Sequence, residues 1–185
     1  IIAPRVIAAL IIFILFKTAV VVPQQNAIVV ERLGRYHATL NAGFHLLVPF
    51  VDVIRYRLSL KEQAIDIPAQ VCITRDNVQV SVDGILYMKV LNPERASYGI
   101  ADYIFGITQL AQTTLRSVLG QADLDDLLSE RDRLNQQLQQ ILDHQTDPWG
   151  VKVSSVEVKH VDLPADMQRA IARQAEAERE KRAKI

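Results

Sequence analysis

The chain has 185 residues, of which 49% are hydrophobic and 23% charged, and this composition fits a globular protein with one core or two small ones. Twenty-one basic side chains balance twenty-one acidic ones. This balance argues against nucleic acid as a partner, because such binding depends on neutralising phosphates. The single cysteine, Cys72, excludes an intrachain disulfide and a multi-thiolate metal site.

Residues 1–22 are predicted to be a membrane anchor, because no other stretch of the chain is as apolar. A membrane span needs at least roughly 17 apolar residues, and residues 6–22 just reach that length. A short span and a re-entrant wedge bent at Pro4 both fit. A cleaved signal peptide fits poorly, because residues 20–23 lack a small-residue cleavage site. The side chains expected to contact lipid here are Val6, Ile7, Leu10, Ile11, Ile12, Phe13, Ile14, Leu15 and Phe16.

After Pro23 the pattern changes to short alternating runs, which are typical of strands. Pro68 is predicted to end the fourth of these runs. The predicted strands are residues 27–33, 36–40, 51–58 and 64–67.

The clearest strand is residues 78–90, where apolar and polar side chains alternate. Gly84 falls on the inward face, where a missing side chain indicates a bulge or a close crossing. The alternation indicates a half-buried antiparallel sheet. Its inward residues are Val78, Val80, Val82, Leu86, Met88 and Val90.

Residues 44–50, with the sequence FHLLVPF, allow two interpretations. A short apolar run bounded by turn residues is ordinarily a buried strand. Alternatively, an apolar loop with a proline, in a domain that an anchor holds against a bilayer, would dip into the lipid interface. The second hypothesis predicts lipid contact for Phe44, Leu46, Leu47 and Phe50.

Beyond Asn92 and Pro93 the apolar period changes to that of helices. The first helix is predicted to end at a Gly120 C-cap. The second is predicted to begin at a capping box over residues 129–132. A turn at residues 147–150 leads into a strand over residues 151–161, whose inward face changes parity as a bulge would allow. The apolar stripes of the two helices are Ile104, Ile107, Leu110, Ala111, Leu115, Val118 and Leu119, then Leu134, Leu138 and Ile141.

The last segment, residues 164–185, is predicted to be a helix that continues beyond residue 185. Its apolar stripe is thin and its polar face carries charges of both signs, so it needs a partner helix for stability. We expect neighbouring copies to pack through Met167, Ile171, Ala175, Glu176, Glu178, Arg179, Lys181 and Arg182.

No motif for catalysis, a cofactor or a metal is present in the sequence. Nucleophile elbows, phosphate-binding loops, dinucleotide fingerprints and zinc signatures are missing. The acidic cluster of Asp123, Asp125 and Asp126 lacks the spacing of a calcium loop. We therefore predict no catalytic residue, no cofactor and no metal site.

Several motifs occur in an order that resembles one family. The most specific are LAQTTLRSVLG at residues 110–120, SER at residues 129–131, WGVKV at residues 149–153 and VDLP at residues 161–164. With the N-terminal apolar segment, they resemble the stomatin and slipin branch of the SPFH (stomatin, prohibitin, flotillin, HflK/C; band 7) superfamily. The resemblance covers nearly all of residues 20–185.

The resemblance implies an α+β SPFH domain in two subdomains, residues 23–91 and 92–163, followed by a coiled-coil-forming helix from residue 164. Family members form large rings or cages on membranes, organise membrane microdomains, and modulate channels or membrane proteases. Slipins are often associated with a membrane-bound serine protease.

We therefore expect a non-catalytic membrane scaffold that binds its own copies and lipids. The alternative is a regulatory subunit of one dedicated membrane protease or ion channel; native mass distinguishes the two, because only a scaffold forms a large homo-oligomer alone. On the positive-inside rule, the basic residues that follow the anchor place the domain on the cytoplasmic side, at the inner or plasma membrane in a bacterium. These residues are Arg32, Arg35, Arg55, Arg57 and Lys61.

Overall fold

The computed structural model describes residues 11–14 and 18–183, apart from the side chains of residues 178 and 180–183. The fold is α+β, as predicted. Residues 11–14 are helical. The strands are β1 (Ala19–Val22), β2 (Asn26–Arg32), β3 (Arg35–Leu40), β4 (Gly43–Leu46), β5 (Asp52–Ser59), β6 (Gln63–Ile73), β7 (Gln79–Val90) and β8 (Val151–Asp162). The helices are α1 (Pro93–Tyr98), α2 (Tyr103–Gln121), α3 (Leu124–Ser129), α4 (Arg131–Thr146), a 3-10 turn (Asp147–Trp149) and α5 (Ala165–Ala183).

The predicted anchor falls mostly outside the described residues, where Val6, Ile7, Leu10, Leu15 and Phe16 lie. Within the described ranges, no helix combines the length and the apolar character needed to cross a membrane. The end of the predicted anchor is corrected, because residues 19–22 form β1, in which Val20 and Val22 pack into the core of the domain. An anchor before residue 19, and the choice between a span and a wedge, stay predictions.

The chain divides into two compact units that are interleaved in sequence. The first comprises Ile1–Gln63, Met88–Tyr103 and Gln145–Lys152, and the second comprises Ala64–Tyr87, Ile104–His144 and Val153–Ile185. The subdomain boundary expected at residues 91 and 92 stays a prediction.

The first unit contains two small antiparallel sheets. β1 pairs with β4, and β2 lies between β3 and β5. Helix α1 contacts β2, where Tyr98 packs edge-on against the rings of Tyr36 and Tyr56 and donates a hydrogen bond to Glu31. The core of this unit consists of Val22, Ile28, Val30, Leu40 and Leu47, with Val20 and Ile54 packed against it.

The second unit contains most of the sheet ordered β6-β7-β8. The alternation predicted for β7 is confirmed, since every even-numbered residue from 78 to 90 is buried. The parity change predicted for β8 is also confirmed, because Val151, Val153 and Val156 are its buried residues. The helical stripes are largely confirmed: Ile107, Ala111, Leu115, Val118, Leu119, Leu134 and Leu138 are buried.

Helix α4 lies along the outer edge of β8 and bonds to its backbone. Asn135 accepts a hydrogen bond from Val158 N at 3.1 Å, and Asp143 accepts one from Val153 N at 3.0 Å. Gln139 donates to Val153 O at 3.0 Å. These side chains replace a neighbouring strand for part of that edge.

Three predictions at element ends are wrong. β6 continues through Pro68, which is tolerated because β6 is an edge strand and one side of its backbone needs no ladder bond. Ser129 ends α3 and donates to Asp125 O, so it does not cap α4. Gly120 lies inside α2, which ends one residue later, at Gln121. At the start of that helix, Ile104 of the predicted stripe is exposed.

Gly84 marks a close crossing of β7 and β8, one of the two arrangements predicted for it. A Cβ at this position would lie 2.9 Å from the backbone oxygen of Glu157. Side-chain carbons do not approach a backbone oxygen so closely, so a larger residue would force the two strands apart.

We predict that Gly84→Ala destabilises the domain by about 1 to 3 kcal/mol, because the added methyl group overpacks this crossing. Gly120→Ala is the matched control, since its Cβ would lie 3.7 Å from Ile73 O and alanine favours helix by up to about 1 kcal/mol. Chemical denaturation followed by circular dichroism measures both. Equal stability of the two variants would show that β7 and β8 separate without cost.

Candidate functional site

The ribbon formed by β1 and β4 has one buried face and one exposed apolar face. Directly paired residues of antiparallel strands share a face, and the register pairs Val21 with Phe44 and Ala19 with Leu46. Val21, Phe44 and Leu46 are 71%, 63% and 68% exposed. The opposite face carries Val20 and Val22, which pack into the core. The ribbon therefore presents an apolar surface that the described residues do not cover.

The predicted anchor precedes this surface in the sequence. Ile11, Ile12 and Phe13 in the helical residues 11–14 are also exposed. Thr18 donates its hydroxyl to Ile14 O at 2.7 Å, and Leu47 N donates to Thr18 O at 2.8 Å. These two hydrogen bonds connect Ile14, Thr18 and the start of the loop that follows β4.

The residues from 44 to 50 that were predicted to contact lipid differ in their exposure. Phe50 is 95% exposed and has a φ of 70°. A left-handed conformation costs a non-glycine residue on the order of 1 kcal/mol, so the fold holds this ring outward against a local preference. Leu47 is buried in the core, which corrects the prediction that it contacts lipid: side chains alternate along β4, and residue 47 follows the inward face. Lipid contact by Phe44, Leu46 and Phe50 stays a prediction.

An ion pair between a partly exposed arginine and a buried aspartate fixes the shape of the loop between β4 and β5. Arg32 donates through Nε and Nη2 to the two carboxylate oxygens of Asp52, at 2.6 and 2.8 Å. Val48 N also donates to this carboxylate, at 2.8 Å, and Asp52 N donates to Val48 O at 2.9 Å. The Asp52 side chain is 1% exposed. The hydrogen bond from Arg32 and, to a smaller extent, that from Val48 lower the pKa of Asp52 to about 2.

The turn between β2 and β3 lies beside this loop. The sequence predicted a turn here, at Gly34 and Arg35, but not an exposed leucine in it. Leu33 is 81% exposed and its backbone N donates to Val51 O at 3.3 Å. The sequence predicted only that Leu33 ends a strand. The signal in the sequence was the position of Leu33 directly before Gly34, where a turn residue would be expected to be polar.

The helix α5 leaves its thin apolar stripe largely uncovered. Met167 is half-buried, Ile171 is 37% exposed, and Ala175, Glu176 and Arg179 are exposed. The side chains of Glu178, Lys181 and Arg182 lie outside the described part of the chain. Packing of copies through this helix stays a prediction.

The described residues contain no group of three or more histidine, cysteine or acidic side chains that could hold a metal ion. Cys72 is buried, and burial raises the pKa of its thiol. Asp123 pairs with Arg75, and Asp76 accepts from Leu124 N at 3.3 Å, so these acidic groups attach the β6–β7 turn to the start of α3.

Comparison with known proteins identifies relatives along nearly the whole chain. Residues 20–185 match the SPFH domain / Band 7 family. A stomatin homolog of Pyrococcus horikoshii is 48% identical over 180 residues, which are 97% of this chain and 67% of that protein. The mitochondrial stomatin-like protein 2 of Homo sapiens is 44% identical over 164 residues, which are 89% of this chain and 46% of that protein. The chain thus spans about two thirds of the archaeal relative and under half of the human one.

Asp52→Asn tests the ion pair through the pH dependence of stability. Because folding lowers this pKa from its ordinary value of about 3.9 to about 2, the ionised pair stabilises the fold above pH 4, and that contribution is lost as the pH falls toward 2. We expect the variant to be less stable at neutral pH and to lose less stability over this acid range. Denaturation at a series of pH values measures this. An unchanged acid profile in the variant would exclude the pair as its source.

Proposed function

Since the chain belongs to the SPFH domain / Band 7 family, we propose that it is a non-catalytic membrane scaffold whose copies assemble into a large ring or cage and organise a membrane microdomain. The observation that carries the proposal is the exposed apolar face of the β1–β4 ribbon, which continues from the apolar N-terminal segment. Its proposed partners are its own copies, membrane lipids and a client such as a membrane-bound serine protease.

The exposed apolar residues have enough surface to orient the domain on a bilayer. Full burial of an aromatic or leucine side chain contributes about 1.5 to 3 kcal/mol. Phe44, Leu46 and Phe50 lie close in sequence and are all exposed, so lipid contact at the three would add up to several such contributions. The excess of arginine after the anchor supports a cytoplasmic position of the domain.

Assembly is proposed to proceed through α5. Its exposed stripe is too small to hold the helix alone, and helices in proteins are stabilised mostly by packing of an apolar face rather than by helical propensity. A single exposed ion pair contributes at most about 0.5 kcal/mol within a helix. Repetition around a closed ring makes such weak contacts sufficient, because each new contact forms between copies that are already held together.

Phe50→Asn tests the membrane surface. Asparagine tolerates a left-handed backbone better than phenylalanine, so we expect the free energy of unfolding to stay equal or rise by up to about 1 kcal/mol. Vesicle binding of a chain that begins at Thr18 should fall at least about tenfold, because the proposed burial of the ring in lipid is lost. Flotation measures binding, and circular dichroism measures folding.

The control is Leu47→Ala, which we expect to cost about 2 to 5 kcal/mol of stability because Leu47 lies in the core. Undiminished flotation of Phe50→Asn would contradict the proposed surface.

Charge reversal on α5 tests assembly. Changing Glu176, Glu178 and Glu180 to lysine should break the assembly into small species, because like charges would then face each other between neighbouring copies. The domain should keep its unfolding transition. Native mass of the detergent extract measures this, with Glu94→Lys on exposed α1 as the control. Full assembly mass in the triple variant would show that the faces of the globular domain hold the ring.

A further inference from the structure

The turn between β2 and β3 places a leucine where local chemistry favours asparagine. Leu33 and Gly34 have φ values of 50° and 80°, and Arg32 pairs with Arg35 on either side of them. A two-residue hairpin turn with positive φ at both positions is ordinarily Asn-Gly, because asparagine tolerates this conformation and is well solvated. Leucine is strained in this conformation, and its apolar side chain is unfavourable in water. Even so, the side chain of Leu33 is 81% exposed.

Leu33 lies at the end of its sheet where the chain enters from the predicted anchor. Its backbone N bonds to Val51 O, in the loop that carries Phe50. The same loop begins at Leu47, whose N bonds to Thr18 O. The Arg32–Asp52 pair joins the end of β2 to this loop. Leu33 and Phe50 are therefore neighbouring apolar tips beside the exit from the anchor.

The charges around the turn favour an anionic surface. The guanidinium of Arg32 is neutralised by Asp52, whereas Arg35 is exposed and has no ion-pair partner within the described ranges. An apolar tip followed by a free guanidinium matches a bilayer surface, where apolar side chains enter the acyl boundary and arginine meets lipid phosphates.

We propose that Leu33 and Arg35 form a second lipid-contact tip, in which Leu33 enters the bilayer interface and Arg35 binds the phosphate of an anionic phospholipid. This inference rests on the proposed seating of the domain on a membrane. It adds a contact outside residues 44–50 and a preferred lipid class.

The test uses the full chain in lipid nanodiscs of phosphatidylcholine alone or mixed equally with phosphatidylglycerol. An environment-sensitive dye is attached in turn to Leu33→Cys, Phe50→Cys and Gln25→Cys, and a chain without an added cysteine corrects for labelling of Cys72, which is 3% exposed. Gln25 is the matched control, because it too is an exposed turn residue with positive φ, at the other end of β2. At 3.3 Å per residue, β2 separates the two turns by roughly 20 Å.

We expect lipid-borne quenchers to reach the dye at residues 33 and 50 but not at residue 25. Quenching at residue 33 should strengthen with phosphatidylglycerol. Arg35→Gln should abolish this strengthening, which corresponds to about a fivefold preference of the tip for the anionic lipid. Quenching at residue 50 without quenching at residue 33 would overturn the second tip and leave the proposed function standing. Quenching at neither position would overturn the seating itself. Quenching at residue 33 that changes neither with phosphatidylglycerol nor with Arg35→Gln would overturn the proposed preference for anionic phospholipid.

Discussion

The ion pair between Arg32 and Asp52 connects the parts of the molecule that form its apolar end. It is bidentate, and the carboxylate also accepts a hydrogen bond from the Val48 amide, so both oxygens of the buried Asp52 side chain have donors, while Arg32 is partly exposed. Breaking one partner of such a pair leaves an uncompensated charge, which costs more than the pair contributes while intact. The loop is thus held in one geometry even though its exposed residues contribute little to the core.

This constraint accounts for two exposed apolar residues in left-handed backbone conformations. Strained residues persist only where the surrounding structure over-determines them, and they concentrate at binding sites. Leu33 directly follows Arg32, and Phe50 lies between Val48 and Asp52, which are hydrogen-bonded to each other. The fold itself therefore holds both residues in place, which would reduce the entropy lost in the proposed contact with lipid.

Local patterning predicted the regular elements, whereas long-range pairing decided the site. The alternation in β7 and the stripes of α2 and α4 were readable because their periods repeat over many residues. Leu47 was misplaced because the inward parity of β4 depends on its pairing with β1, which lies more than twenty residues earlier. The Arg32–Asp52 pair joins residues 20 positions apart, and neither position carries a local signal. Pro68 was predicted to end a strand because proline usually does so. The strand continues through it because β6 lies at the edge of its sheet, where a missing backbone donor is tolerated.

The two edges of the β6-β7-β8 sheet are protected against pairing with strands of neighbouring molecules. Proteins gathered side by side on a membrane meet one another at high local concentration, and exposed strand edges would then recruit one another into continuous sheets. Pro68 interrupts the donors of one edge, and the amide and carboxylate side chains of α4 occupy backbone groups along the other. In the proposed assembly, neighbouring copies could therefore touch through side chains without extending each other's backbone ladders, which would keep dense packing separate from irreversible aggregation.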